Sequence, residues 1–429
     1  MSNKKEIATK LYKRVRREQL EKMKEKMPSD VQGVEFKQNG ITYVAFIRRL
    51  APAECDRLQT IPEWYDWGGI SETQHLKMDG NGWNVETIKH CWSFLPDFGR
   101  PIRVWSLFDG MACGHIVLSE LNIPIECYVS SEVDKHAIKA EKQNFPDIVQ
   151  VGSVMDIDVA ELVGKYGVPD FLFGGSPCQS FSISGKMKGM STAQGEEVYT
   201  LDRYLELKSQ GFKFEGQSYL FWEYMRILTE LRRFNPNIYF FLENVEMLEK
   251  WERCLSHAIG VRGVHINSAL VSAQNRRRIY WSNIKVKDLG NTSLFDFSDD
   301  PFELPSLQTD IPQPRDTGVV VKDVLLDDVD GKYYLKDGAV SSLMEKADRK
   351  KLKEYFLEPQ VSVDEALRYM DGKKDYSHLS KEERLEIATI GYELDKRRLH
   401  DNYYGKEKDA FDEVRQEDSW QRCHPELQD

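Results

Sequence analysis

The chain has 429 residues, 41% of them hydrophobic and 30% charged, with a formal net charge of −11. No apolar run approaches the roughly 18 residues that span a bilayer, and the charged stretch 1–26 holds no apolar signal core, so a cytoplasmic protein without a targeting signal or membrane contact is expected. Seven scattered cysteines without a CxxC pair speak for reduced thiols and against a zinc site, and the acidic balance excludes indiscriminate coating of nucleic acid while leaving room for a local basic cleft.

Residues 1–35 form a basic N-terminal region, read as a helix over 1–27 dense in Lys and Arg (Lys10, Lys13, Arg14, Arg16, Arg17, Lys22). It is either a solvated, salt-bridged helix or an arm for phosphates. The alternation from Gly40 to Ile47 predicts a strand, and Pro52 with Glu54 opens a short helix through Leu58. Gly80-Asn81-Gly82 reads as a turn opening a helix through Ile88, Cys91, Trp92 and Leu95.

From residue 102 to about 285 the chain has the rhythm of strand, helix, strand that builds an α/β fold. Val104–Leu107 is a strand, followed by the glycine-containing turn Phe108-Asp109-Gly110-Met111-Ala112-Cys113-Gly114. A second strand, Cys127–Ser130, ends at Glu132, about twenty residues beyond the glycine turn. Nucleotide-binding α/β units place a ribose-binding carboxylate at that distance. A run at Ile148–Val151 leads to Gly152-Ser153-Val154-Met155-Asp156, and Phe171–Phe173 is a buried strand running into Gly174-Gly175-Ser176-Pro177-Cys178. Residues 185–217 are polar and glycine-punctuated, expected as a mobile loop. An amphipathic helix carries Phe221, Tyr224, Leu228 and Leu231. Tyr239–Leu242 is another buried strand, and two more are expected at Ala269–Ser272 and Arg278–Ser282. Residues 290–318 suggest a linker, and 319–429 an acidic region with helices near 340–357 and 380–400 and a frayed end from 417.

Chemistry-bearing residues gather at strand carboxyl ends, where open α/β sheets build sites. Cys178 follows one strand, Glu243-Asn244 another, and Gln274-Asn275-Arg276-Arg277-Arg278 lies at a third. Each alone has an ordinary structural use: a small buried thiol, a helix-dipole partner, a solvated basic face. Together, a thiolate, an acid and a guanidinium suit nucleophilic attack on an electron-poor ring.

Phe108-Asp109-Gly110, Gly175-Ser176-Pro177-Cys178-Gln179, Glu243-Asn244-Val245 and Gln274–Arg278 resemble, in order, motifs I, IV, VI and VIII of the C5-cytosine DNA methyltransferases. Ser106–Ala112 and Gly174–Cys178 are most similar to its de novo, DNMT3-type branch. The resemblance implies a Rossmann-like, S-adenosyl-L-methionine-dependent fold acting on double-stranded DNA, with no metal. It implies that Cys178 attacks C6 of a flipped cytosine, that Glu243 protonates or hydrogen-bonds N3, and that Arg276 and Arg278 hold the base and the attacking loop. The cofactor would lie over Phe108, Asp109, Gly110, Met111, Ala112 and Cys113, with Glu132 on its ribose. Val133, Ser153, Val154, Asp156 and Leu220 would line its pocket.

Two departures stand out. Ser153 occupies the position where the family usually has Asp, so Asp156 is expected to take over its contact. Motifs IX and X do not follow residue 285. Arg49–Gln59 and Gly80–Val85 resemble them, which implies a circular permutation that brings Asn81, Gly82 and Trp83 to the cofactor pocket. The expected domains are therefore the basic region 1–35, a catalytic domain 36–285 and a target-recognition region 286–429. DNA contacts are expected on Lys186, Lys188, Lys208, Lys213 and the N-terminal region. Two other readings are a catalytically silent DNA-binding homologue, against which stand Cys178 and Glu243, and an RNA cytosine methyltransferase, whose Cys-Phe-Thr signature is absent.

Overall fold

In the computed structural model, described over residues 11–16, 31, 34–38, 41–177, 190–192, 194–214, 216–290, 302–336 and 339, the chain divides into two compact units. One combines residues 8–49 with 330–429, the other holds 50–329. The segment around 302–329 packs with the larger unit.

The smaller unit contains a three-stranded antiparallel sheet in the order β1-β3-β2: β1 is Leu11–Arg16, β2 Val34–Gln38 and β3 Ile41–Arg48. The helix expected over 1–27 is thus a strand where it is described. Tyr12 and Val15 favour strands, and the ladder to β3 meets the backbone hydrogen-bonding demand, outweighing the helix preference of the Lys and Arg between them.

The larger unit begins with three helices: α1 (Pro52–Gln59), α2 (Glu72–Asn81) and α3 (Val85–Trp92). Gly80 and Asn81 close α2 rather than open a helix. The cap of α3 is Asn84, whose side chain accepts from the Thr87 N–H at 3.0 Å. There follow β4 (Ile102–Leu107), α4 (Cys113–Glu120), β5 (Ile125–Ser131), α5 (Lys135–Asn144), β6 (Val149–Gln150), α6 (Val159–Tyr166) and β7 (Phe171–Gly175). Next are α7 (Leu201–Ser209), α8 (Phe221–Phe234), β8 (Tyr239–Val245), α9 (Glu249–Ile259), β9 (Val264–Asn267) and β10 (Arg277–Ser282).

The seven strands β4 to β10 form one sheet, ordered β6-β5-β4-β7-β8-β10-β9, parallel from β6 to β8 and antiparallel beyond. Strand order reverses between β4 and β7, so the crevice at their carboxyl ends is the natural ligand position. Alternate residues feed two cores: Trp105, Leu107, Leu172, Phe240 and Leu242 pack with α8 and α9, while Ile102, Val104, Phe171, Phe173 and Phe241 pack with α3 and α4. This is the α/β architecture the strand rhythm predicts, in the Rossmann-like form that the resemblance implies.

Two further readings are corrected. The expected loop 185–217 contains α7, capped by the Thr200 hydroxyl and anchored by buried Tyr204 and Leu207. The strand expected at Ala269–Ser272 lies earlier, at β9, and Ser268–Leu270 is a short helical turn. Residues 307–309, inside the expected linker, pair with 286–288 as a small antiparallel ribbon. The helices near 340–357 and 380–400 and the frayed end lie outside the described residues.

Candidate active site

The turn after β4 is held in an unusual backbone shape. Phe108, Gly110 and Ala112 all have positive φ, at 59°, 63° and 64°. Glycine adopts this readily, but Phe108 and Ala112 do so at a cost of about 1–3 kcal/mol each that the surroundings must offset. The offset is visible. The Gly110 N–H donates to Glu132 Oε2 at 2.9 Å, and Tyr65 donates its hydroxyl to the Met111 carbonyl at 2.9 Å. The Asp109 N–H donates to the Ser131 carbonyl, and the Ser131 hydroxyl reaches the Gly152 carbonyl at 2.6 Å. Gln150 Oε1 accepts from the N–H groups of both Glu132 and Gly152, at 3.1 and 3.0 Å. The loops after β4, β5 and β6 are thereby one hydrogen-bonded unit.

Glu132 Oε1 also accepts from the Val133 and Asp134 N–H groups, so its carboxylate organises two loops. Asp109 is half-buried, with its carboxylate turned inward. Its Oδ1 accepts from the hydroxyls of Ser106 and, at 2.7 Å, Tyr128, while its Oδ2 is buried without a hydrogen-bond partner. Burial, only partly countered by those donors, pushes the Asp109 carboxyl up to about 6. Cys113 lies next to the turn, and burial drives its thiol up to about 12, out of nucleophilic range at neutral pH.

The segment 80–83 meets this turn directly. The Cys113 thiol lies 3.9 Å from the Trp83 carbonyl, and a methyl group on Gly82 would sit 3.8 Å from both Cys113 Sγ and Met111 Sδ. Trp83 then packs its ring against Trp92, Phe173 and Phe241. Its Nε1 comes to the end of β7, where a Cβ added to Gly175 would stand 2.9 Å from it and 3.1 Å from Glu243 Oε2. Gly175 is glycine because two side chains converge on it.

Glu243, in β8, pairs with Arg278, in β10, at 2.8 Å from Nε to Oε1, with both side chains largely enclosed. Next to it, the Asn244 amide donates to the Ser176 hydroxyl at 3.0 Å and leans on its carbonyl at 3.3 Å, tying down the chain two residues before Cys178. Cys178 itself lies outside the described residues, as do Lys186 and Lys188.

Arg276 has partners of its own. Its guanidinium donates to the carbonyls of Gly82 at 2.7 Å and Gly80 at 3.4 Å, clamping the segment that carries Trp83. Asn84 and Thr87 bond Ser272 and Ser268 alongside it. Of the remaining expected residues, Ser153 caps the Met155 N–H, and the Val154 carbonyl accepts from Arg226. Val133 and Asp156 are exposed, and Leu220 is half-buried at the start of α8. Lys208 is bonded to the buried Glu223 at 2.5 Å, while Lys213 is exposed. Sequence reasoning missed Gln150, Tyr65, Ser131 and Tyr128. A polar residue closing a strand two residues before Gly152 was the available signal for Gln150.

Residues 102–261 match the family model described as C-5 cytosine-specific DNA methylase. The orphan methyltransferase M.Rho11sI of Bacillus phage rho11s is 26% identical over 66% of this chain and 54% of its own length. Arabidopsis thaliana DNA (cytosine-5)-methyltransferase DRM2 is 29% identical over 43% of this chain and 28% of its own. A solved structure of Spodoptera frugiperda DNMT2 aligns with 54% of this chain and 61% of that chain, at 18% identity and a TM-score of 0.33. The chain spans about half the length of the phage relatives it matches. The glycine turn, β7 and β8 all lie inside the region, residues 102–261, that is similar to the C-5 cytosine-specific DNA methylases.

Proposed function

We propose that the chain methylates C5 of cytosine in double-stranded DNA, using S-adenosyl-L-methionine and a covalent bond from Cys178 to C6 of the base. The observation that carries this reading is the Glu243–Arg278 pair beside Gly175, three residues ahead of Cys178, across the switch point from the glycine turn. A cytosine stacked in a duplex is out of reach of such a recess, so the base is flipped into it. Glu243 then protonates or hydrogen-bonds ring N3 and makes C6 electrophilic, while Arg278 fixes the carboxyl and faces the base carbonyl. Asn244, through Ser176, sets the start of the loop that delivers the thiolate.

The cofactor, which supplies an electrophilic methyl group when bound, suits the turn 108–113. Asp109 Oδ2 is a buried acceptor without a donor, as a cationic ligand requires nearby, and Glu132 has acceptor capacity left for ribose hydroxyls. Trp83 and Gly82 extend that pocket from a segment preceding β4, which supports a circularly permuted order of motifs. Arg276 acts in this reading as the clamp on that segment. Residues 286–429 supply target recognition, and the cytoplasm is the site of action.

The test is Cys178→Ala in the full chain, with labelled cofactor and duplex DNA. Methyl transfer is expected to vanish while cofactor affinity stays intact, and wild-type protein should be trapped covalently on duplexes carrying 5-fluorocytosine. Normal turnover by the variant would overturn the assignment.

A further inference from the structure

Away from the recess just described, α1 and α2 place three potential metal donors together. Asp56 comes from α1, and His75 and Asp79 stand four residues apart on α2, so that both project from one face of that helix. His75 Nε2 is 2.6 Å from Asp56 Oδ1 and 3.4 Å from Asp79 Oδ2, and one donor atom from each residue lies within 4.8 Å of the others. The Trp67 ring stacks on the imidazole at 3.6 Å between centroids, fixing its plane.

Asp79 is the informative member. It is 3% exposed, and neither carboxylate oxygen has a hydrogen-bond partner. Nε2 carries at most one hydrogen, and the short contact to Asp56 claims it, so the 3.4 Å approach leaves Asp79 unsatisfied. A buried carboxylate is costly unless it is paired, protonated or bound to a cation. Alongside, Gln59 donates its Nε2 to the Asp79 carbonyl and leaves its Oε1 buried and unpaired.

We propose that Asp56, His75 and Asp79 bind a divalent first-row transition cation that clips α1 to α2. Two carboxylates and a neutral imidazole balance the charge of such an ion, their N and O donors suit Zn²⁺ or Mn²⁺, and three protein ligands leave room for water. The ion is structural. It would steady α2, whose end delivers Gly82 and Trp83 to the turn at Met111 and Cys113.

The test uses the full chain, stripped with chelator and titrated with Zn²⁺, read by metal content after dialysis and by Tm. Wild type should retain about one equivalent and gain several degrees in Tm. Asp79→Asn should lose both while its metal-free form is no less stable than metal-free wild type, since an amide of the same shape replaces the buried carboxyl. Co²⁺ in place of Zn²⁺ should give wild type a visible d–d spectrum that Asp79→Asn and His75→Gln lack. A wild type that binds no ion would show that a proton alone satisfies Asp79. An equivalent that both variants keep would belong elsewhere. Either result overturns the assignment.

Discussion

Asp109, just past β4, and Glu243, in β8, are carboxylates at the same edge of one sheet, on either side of the switch point, yet the groups around them differ in kind. Asp109 is held by neutral donors, the Ser106 and Tyr128 hydroxyls, with one oxygen left over and its carboxyl raised to about 6. Glu243 is held by the Arg278 guanidinium, at the point where Trp83 and Gly175 close around it. A fixed cation orients an acid that must meet a reacting ring, whereas an enclosed acid with spare capacity suits a ligand that brings its own positive charge. In the proposed reaction the β4 side of the crevice binds the cofactor and the β8 side meets the base.

The largest effect expected follows from that division. Glu243→Gln keeps the shape and much of the bond to Arg278 but removes the acid, and methyl transfer should fall by about 10²–10⁴-fold. Single-turnover rates would show this, with cofactor affinity by calorimetry unchanged. If Asp109→Asn gave the same loss with the same unchanged affinity, the contrast between the two sides would be broken.

Gly175→Ala tests how closely the reacting side is fitted. The new methyl would stand 2.9 Å from Trp83 Nε1 and 3.1 Å from Glu243 Oε2, so one of them must move. A shift of this size costs up to about 100-fold in rate when it misplaces a catalytic group. The expected outcome is a loss in kcat larger than any change in cofactor affinity.

Asp109→Asn sharpens the comparison through pH. With its carboxyl raised to about 6, the native state keeps the Asp109 proton to higher pH than the unfolded chain does. Stability contributed at this residue is therefore greatest at low pH, falls as pH rises from the ordinary carboxylate range to about 6, and is flat above that. The shift of about two pH units corresponds to on the order of 3 kcal/mol. Chemical denaturation of wild type and variant at pH 4 and pH 7 should show the variant gaining on wild type by roughly that amount at the higher pH. Cofactor affinity should fall in the same protein. Equal pH slopes in the two proteins would remove Asp109 from the account.

Much of this was legible in the sequence for a simple reason: buried parallel strands are short apolar runs, and their ends are marked by glycine and polar residues. Phe171–Gly175 and Tyr239–Val245 were readable in that way, as was the spacing from Gly110 to Glu132. What escaped depended on partners distant in the chain. The burial of Asp109 is set by Tyr128 from the next strand, and the reach of Arg276 to Gly80 and Gly82 spans nearly two hundred residues. The Asp56, His75 and Asp79 cluster has no cysteine and draws on two helices, so a search for CxxC spacing passes over it. Leu11–Arg16 misled because its charges suit a helix, while pairing with β3 is a long-range fact.

The smallest effect expected concerns the same guanidinium chemistry in a different setting. Arg203, on α7, bonds Glu196 at 2.7 Å and Glu206 at 2.6 Å, distances matching the 2.8 Å of Arg278 to Glu243. Its own side chain is 39% exposed and those of its partners 41% and 52%, against 18% and 11% for Arg278 and Glu243. Water and salt screen an exposed pair, and the entropy of holding long side chains offsets most of the attraction. Arg203→Ala should therefore leave Tm and the rate of methyl transfer within experimental error, while Arg278→Ala strips Glu243 of its cation and lowers turnover, though by less than Glu243→Gln does. A substantial loss in Arg203→Ala would mean that enclosure is not what separates the two arginines, and that the surface of α7 takes part in the reaction or in holding DNA.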